Sequence, residues 1–177
     1  ESDVVDMYVK YYSSKTLYEH IYPYDQDFVG FSAFDMSLVD ELGAAFIDLT
    51  EVLEPLVADN ADTIMEAWDY ALIGKWANVG GWEYLPDAYM LFEGMRGIDP
   101  ALDAAITGFQ TAFDAALLNN GSSDRFMGVP SGLNVNFPPS LATYNGESWK
   151  WAMQFVYHDI GLDLVEESQW VDCLMEY

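Results

Sequence analysis

The residues Val39, Leu42, Ala45, Phe46, Leu49, Val52 and Leu53 recur at the intervals of an α-helix with a wide apolar face. A half-buried strand would alternate, and this stretch does not. Ser37-Leu38-Val39-Asp40 stands at its start as a capping-box pattern, with the Ser37 hydroxyl placed to accept from an early helical N–H and Asp40 to reach back. Pro55 kinks or ends the helix, because proline removes a hydrogen bond and clashes with the preceding turn. Ile64, Met65, Trp68, Ala71 and Leu72 predict a further helix over residues 62–76, broken by Val79-Gly80-Gly81. Residues 82–97 carry no decisive pattern. Asp99 followed by Pro100 is a helix start, with the aspartate as cap and the proline at the first position. The stripe Leu102, Ile106, Phe109, Phe113, Ala116 and Leu117 then runs to Asn119-Asn120-Gly121, which reads as a left-handed stop. A shorter stripe of Val4, Val5, Tyr8, Val9 and Tyr12 predicts a helix over residues 3–12, and a tyrosine-rich connector with Pro23 follows over residues 17–31. Several wide-faced helices in one chain must bury those faces against one another or against a sheet.

The texture changes after Gly121. Leu133-Asn134-Val135-Asn136-Phe137 alternates apolar and polar residues and predicts a half-buried strand, bounded by Gly132 and Pro138-Pro139. Residues 125–129 offer it a hairpin partner. Two helices are expected near the end, over residues 148–158 and 168–177, the second with Trp170, Val171 and Leu174 on one face. The 177 residues suffice for one domain with a substantial core. It divides into a helix and connector (1–36), a helical region (37–121), and a strand with closing helices (122–177). A chain that is 51% apolar with six tryptophans does not have the composition of a disordered one.

Charge narrows the partners. Thirty acids face six bases, a formal charge of −24, yet only 20% of residues are charged, so the peculiarity is missing Lys and Arg. Phosphate recognition needs clustered cations, which argues against nucleic acid and against anionic membrane surfaces. No apolar run approaches the roughly 20 residues of a membrane span, and no basic segment followed by an apolar core marks a signal peptide. Three readings of the acidity remain: a solvated, self-repelling surface, a face for basic substrates or a basic partner chain, and cation binding.

Residues able to carry chemistry are few. A cysteine nucleophile needs a histidine base within hydrogen-bond reach, and the candidates are Cys173 with His20 or His158. Cys173 lies inside a short amphipathic helix, without a glycine-rich turn or strand end to expose it. The better reading is a small buried thiol and two ordinary histidines, with no catalytic pair. No Cys/His ligand spacing recurs for a metal. Asp59-Asn60-Ala61-Asp62 and Asp25-Gln26-Asp27 can offer oxygens to calcium, but neither fits a calcium loop, and helix capping or turn chemistry explains both. Beyond calcium no cofactor is indicated. Trp149 and Trp151 suit core packing or a subunit interface better than a stacking platform. Asn120-Gly121-Ser122 fits a glycosylation acceptor.

Three blocks carry a family resemblance. Phe31-Ser32-Ala33-Phe34-Asp35-Met36-Ser37 places polar Ser32 and Asp35 inside an apolar run, where they are expected to fix a turn. It resembles the T-L-S-A-I-D-L-S segment of the clostripain family of cysteine peptidases. Gly132-Leu133-Asn134-Val135-Asn136-Phe137-Pro138 resembles that family's G-L-S-I-Y-F-P strand. Ser168 to Tyr177 resembles its closing S-G-W-x-x-F-L-x-x-Y, matching at Ser168, Trp170, Leu174 and Tyr177. The blocks stand in the family's order across most of the chain. The resemblance implies the C-terminal part of a caspase-like α/β sandwich, here mostly helical with one or two strands. It also implies a secreted or cell-surface bacterial endopeptidase that cuts after Arg or Lys and is often matured into two associated chains. The family's His-Gly and Asp-x-Cys motifs are missing: His158 precedes Asp159, His20 precedes Ile21, and Cys173 stands where the family has an aromatic residue. The partner implied is an N-terminal catalytic chain of the same precursor, acting on peptide or protein substrates. No residue of this chain is assigned to a specificity pocket. The scarcity of Lys and Arg would limit self-digestion. The competing reading is a non-enzymatic, acidic, aromatic-rich interaction module or a catalytically dead relative.

Overall fold

The computed structural model describes residues 4, 6–7, 30–71, 86–122, 131–133, 170 and 173. Its elements follow the order β1 (Gly30–Phe34), a 3-10 turn (Met36–Leu38), α1 (Val39–Leu53), two further 3-10 turns (Glu54–Leu56 and Ala58–Asn60), α2 (Ala61–Ala71), α3 (Ala88–Gly94), α4 (Pro100–Ala116) and β2 (Leu117–Ser122). The described fold is thus mostly helical with one antiparallel pair of strands. Residues 4, 6 and 7 are helical, but Val4 is 53% exposed rather than part of a buried stripe.

The longest of the described helices, α4, forms as its sequence dictates. Asp99 is extended, and its carboxylate accepts from the Ala101 N–H at 2.7 Å, with Pro100 in the first turn. Leu102, Ile106, Phe109, Phe113 and Ala116 are buried along one side. The expected stop at Asn119-Asn120-Gly121 does not occur. The helix ends at Ala116, Leu117 turns extended (φ −75°, ψ 110°), and residues 119–121 lie inside β2. A strand partner outweighs the local stop signal: β1 runs antiparallel beside it, with Phe31 opposite Gly121, Ser32 opposite Asn120 and Ala33 opposite Asn119. A register shift brings Phe34 opposite Leu117 and leaves Leu118 as a bulge. The Asp35 N–H then donates to the Ala116 carbonyl at 2.7 Å, and the Phe34 ring meets Phe113 edge-on at 5.4 Å.

The entry to α1 also differs from expectation. Asp35, not Ser37, is the cap: its Oδ1 accepts from the Ser37 N–H at 2.9 Å and from the Ser37 hydroxyl at 2.7 Å. Ser37 is therefore a donor inside a 3-10 turn, and α1 begins only at Val39. Those two bonds hold the Asp35 carboxyl below the usual aspartate range, the side-chain one most strongly. Asp40 and Glu41 sit in the first turn of α1, where carboxylates face the positive end of the helix dipole. Val39, expected in the apolar face, is 43% exposed. It lies a turn ahead of the point where α1 meets the core, and Leu42, Phe46, Leu49 and Leu53 make that contact. The helix stops at Leu53, two residues before Pro55.

Within the range expected for the second helix, α2 buries Ile64, Ala67, Trp68 and Ala71 and is described as far as Ala71. It lies against α3 at close range: a Cβ on Gly94 would come within 2.8 Å of the Ala67 Cβ, so only glycine permits this approach. At the centre of the core Phe46, Phe92, Phe109 and Trp170 form an aromatic cluster with ring centroids 5.2–6.2 Å apart. Five of its ring pairs are edge-on or tilted, the arrangement the ring quadrupoles favour. Of the expected 133–137 strand only Leu133 is described, outside any helix or strand.

Candidate functional site

Polar groups that converge from distant parts of the chain mark where a function would sit, and two such groups stand out among the described residues. The first is built on Asp87, which is 3% exposed. Its Oδ1 accepts from the Met90 N–H at 3.1 Å and caps α3, while its Oδ2 accepts from the Ser131 N–H at 2.6 Å. Its own N–H donates to the Ala71 carbonyl at the end of α2, and the next N–H, of Ala88, donates to the Leu133 carbonyl at 2.8 Å. One residue thereby ties α2, α3 and residues 131–133 together. Burial raises the Asp87 carboxyl above the ordinary aspartate range, and its hydrogen bonds only partly offset this.

From the other side the Ser32 hydroxyl of β1 donates to the Ser131 carbonyl at 3.2 Å. Gly132 adopts φ +92°, and a Cβ there would overlap both the Oγ and the Cβ of Ser32. Residues 131–133 thus form a strap held between β1 and the start of α3. Glycine at position 132 is demanded both by backbone conformation and by space.

The second group surrounds Arg96. Its Nε donates to Glu93 Oε2 at 2.6 Å, Nη2 to Gln110 Oε1 at 2.7 Å, and Nη1 to the Asp103 carbonyl and the Thr107 hydroxyl. Gln110 Nε2 closes the ring on Glu93 Oε2 at 2.9 Å, and the Asp103 carboxylate accepts from the Gly97 N–H at 2.8 Å. The Arg96 and then the Gln110 hydrogen bond hold the Glu93 carboxyl below its usual range. Arg96 is the only Lys or Arg among the described residues, and it is engaged in joining α3 to α4. Every other described charge is acidic.

Neither group contains a nucleophile paired with a base. Cys173 is fully buried, and its thiol donates to the Thr50 carbonyl at 3.6 Å. His20 and His158 lie outside the described residues. Among the described residues no group of three or more His, Cys, Asp or Glu is placed to hold a metal ion. Asp59 lies in a 3-10 turn and Asp62 in the first turn of α2, while Asp25 and Asp27 are outside the described residues. No described helix is long and apolar enough to cross a membrane.

No family model, curated protein or solved structure matches this chain.

The sequence-derived motif residues are placed as follows. Ser32 is in β1 rather than in a turn, with Asp35 and Ser37 at the entry to α1. Gly132 lies against Ser32, so the first two blocks touch. Trp170, of the third block, is buried against the rings of Phe46 and Phe92. Phe137, Pro138, Leu174 and Tyr177 lie outside the described residues, as do Trp149 and Trp151. Sequence reasoning missed Asp87, Ser131 and the Arg96 ring. Pro86-Asp87 ahead of Ala88-Tyr89-Met90-Leu91 was a cap signal of the same kind as Asp99, although the bond to Ser131 spans too much sequence to be legible.

Proposed function

We propose that this chain is the non-catalytic C-terminal portion of a secreted cysteine endopeptidase of the clostripain type. Its role is to scaffold a separate catalytic chain that cleaves peptides and proteins after Arg or Lys. In this reading the chain supplies helices and a short β-ribbon to a caspase-like α/β sandwich, and the catalytic chain supplies the main sheet with its His-Gly and Asp-x-Cys strand ends. The observation that carries the proposal is the contact of Ser32 with Gly132. It brings together two blocks a hundred residues apart that resemble the same family in the same order. The buried thiol of Cys173 supports a scaffold role, since a nucleophile must be reachable by substrate. The acidic exterior, with Arg96 engaged internally, suits basic substrates.

A second reading is favoured by a specific observation. The aromatic cluster of Phe46, Phe92, Phe109 and Trp170 gathers residues of this one chain into a shared core. An acidic, aromatic-rich interaction module, or a catalytically dead relative, would look the same.

Intact-mass analysis of the protein isolated from its natural source separates the two, combined with hydrolysis of Arg- and Lys-terminated reporter peptides. The peptidase reading expects a companion chain carrying the two catalytic motifs. It further expects hydrolysis that a thiol-blocking reagent abolishes in the complex and that is absent from this chain alone. A stable monomer with no companion and no hydrolysis would overturn it in favour of the interaction module. Hydrolysis by this chain alone would overturn the scaffold role.

A further inference from the structure

We draw no further inference here: the strongest candidate, the buried Asp87 carboxylate clasping residues 131–133 to the start of α3, belongs to the site already described, and beyond its structural hydrogen bonds it offers only the raised titration of one carboxyl.

Discussion

Replacing Gly132 with alanine attacks the join between β1 and the strap in two separable ways. The backbone sits at φ +92°, which an L-residue occupies at a cost of about 1–2 kcal/mol. The new methyl group also overlaps the Ser32 side chain, and overpacking of this kind costs about 1–3 kcal/mol. The expected loss for Gly132→Ala is therefore about 3 kcal/mol, a large fraction of a typical domain stability of about 5–15 kcal/mol. Ser32→Gly removes both overlapping atoms and leaves Ser32 Cα as the nearest neighbour at 3.7 Å. On its own that change costs about 1–2 kcal/mol, from the lost hydrogen bond to Ser131 and the added freedom of a strand glycine. In the double variant the overlap is gone while the backbone strain remains, so the combined loss should fall short of the sum by about 1–3 kcal/mol. Urea unfolding followed by tryptophan fluorescence and circular dichroism measures all four corners of the cycle. Strict additivity, or a Gly132→Ala loss below about 0.5 kcal/mol, the range of an ordinary surface substitution, would refute the placement of the strap against β1.

Asp87→Asn should destabilise the fold by about 1–3 kcal/mol, because an amide cannot accept from both N–H donors that now share the carboxylate. The carboxyl titrates above the ordinary aspartate value in the folded protein, so its contribution is fully present below that ordinary value and is lost as pH rises through the folded one. The gap between wild type and variant should therefore narrow as pH is raised from below the ordinary aspartate value, and unfolding midpoints that keep a constant gap from there upward would contradict this. Arg96→Lys should cost about 1–2 kcal/mol despite conserving charge, since an ammonium cannot reproduce a fork that reaches Glu93, Gln110, Asp103 and Thr107 together. Thermal unfolding is the check, and an unchanged midpoint would count against the ring. Cys173 should resist a thiol-specific reagent in the native protein and react readily in denaturant, and equal rates in both would place the thiol at the surface.

How much of this was legible depends on how local each signal is. The start of α4 needed only Asp99 and Pro100, and its buried side needed only the spacing from Leu102 to Ala116. Its end was misread because Asn119-Asn120-Gly121 is a stop signal on local grounds, whereas β1, a strand more than eighty residues earlier, decides the outcome. Two candidates for the cap, Asp35 and Ser37, lie two positions apart in the sequence. Only the intervening 3-10 turn determines that the first accepts and the second donates. The short helix α3 spans seven residues, too few for a period to stand out, and depends on a cap whose second oxygen is engaged by Ser131. Ser32 drew attention as a polar residue in an apolar run, but nothing in the sequence shows that its partner is the strap. For the candidate site, then, individual participants stand out in the sequence while the pairings between them do not.

The direct passage of α4 into β2 has a mechanical consequence. Between Ala116 and Leu117 there is no connecting loop to absorb rotation, and the junction is pinned from the side by the Asp35 N–H on the Ala116 carbonyl. Any rotation of the ribbon against α4 must therefore act on that hydrogen bond or on the last helical turn. For the two parts to move independently, either that hydrogen bond must break or the last turn of α4 must unwind.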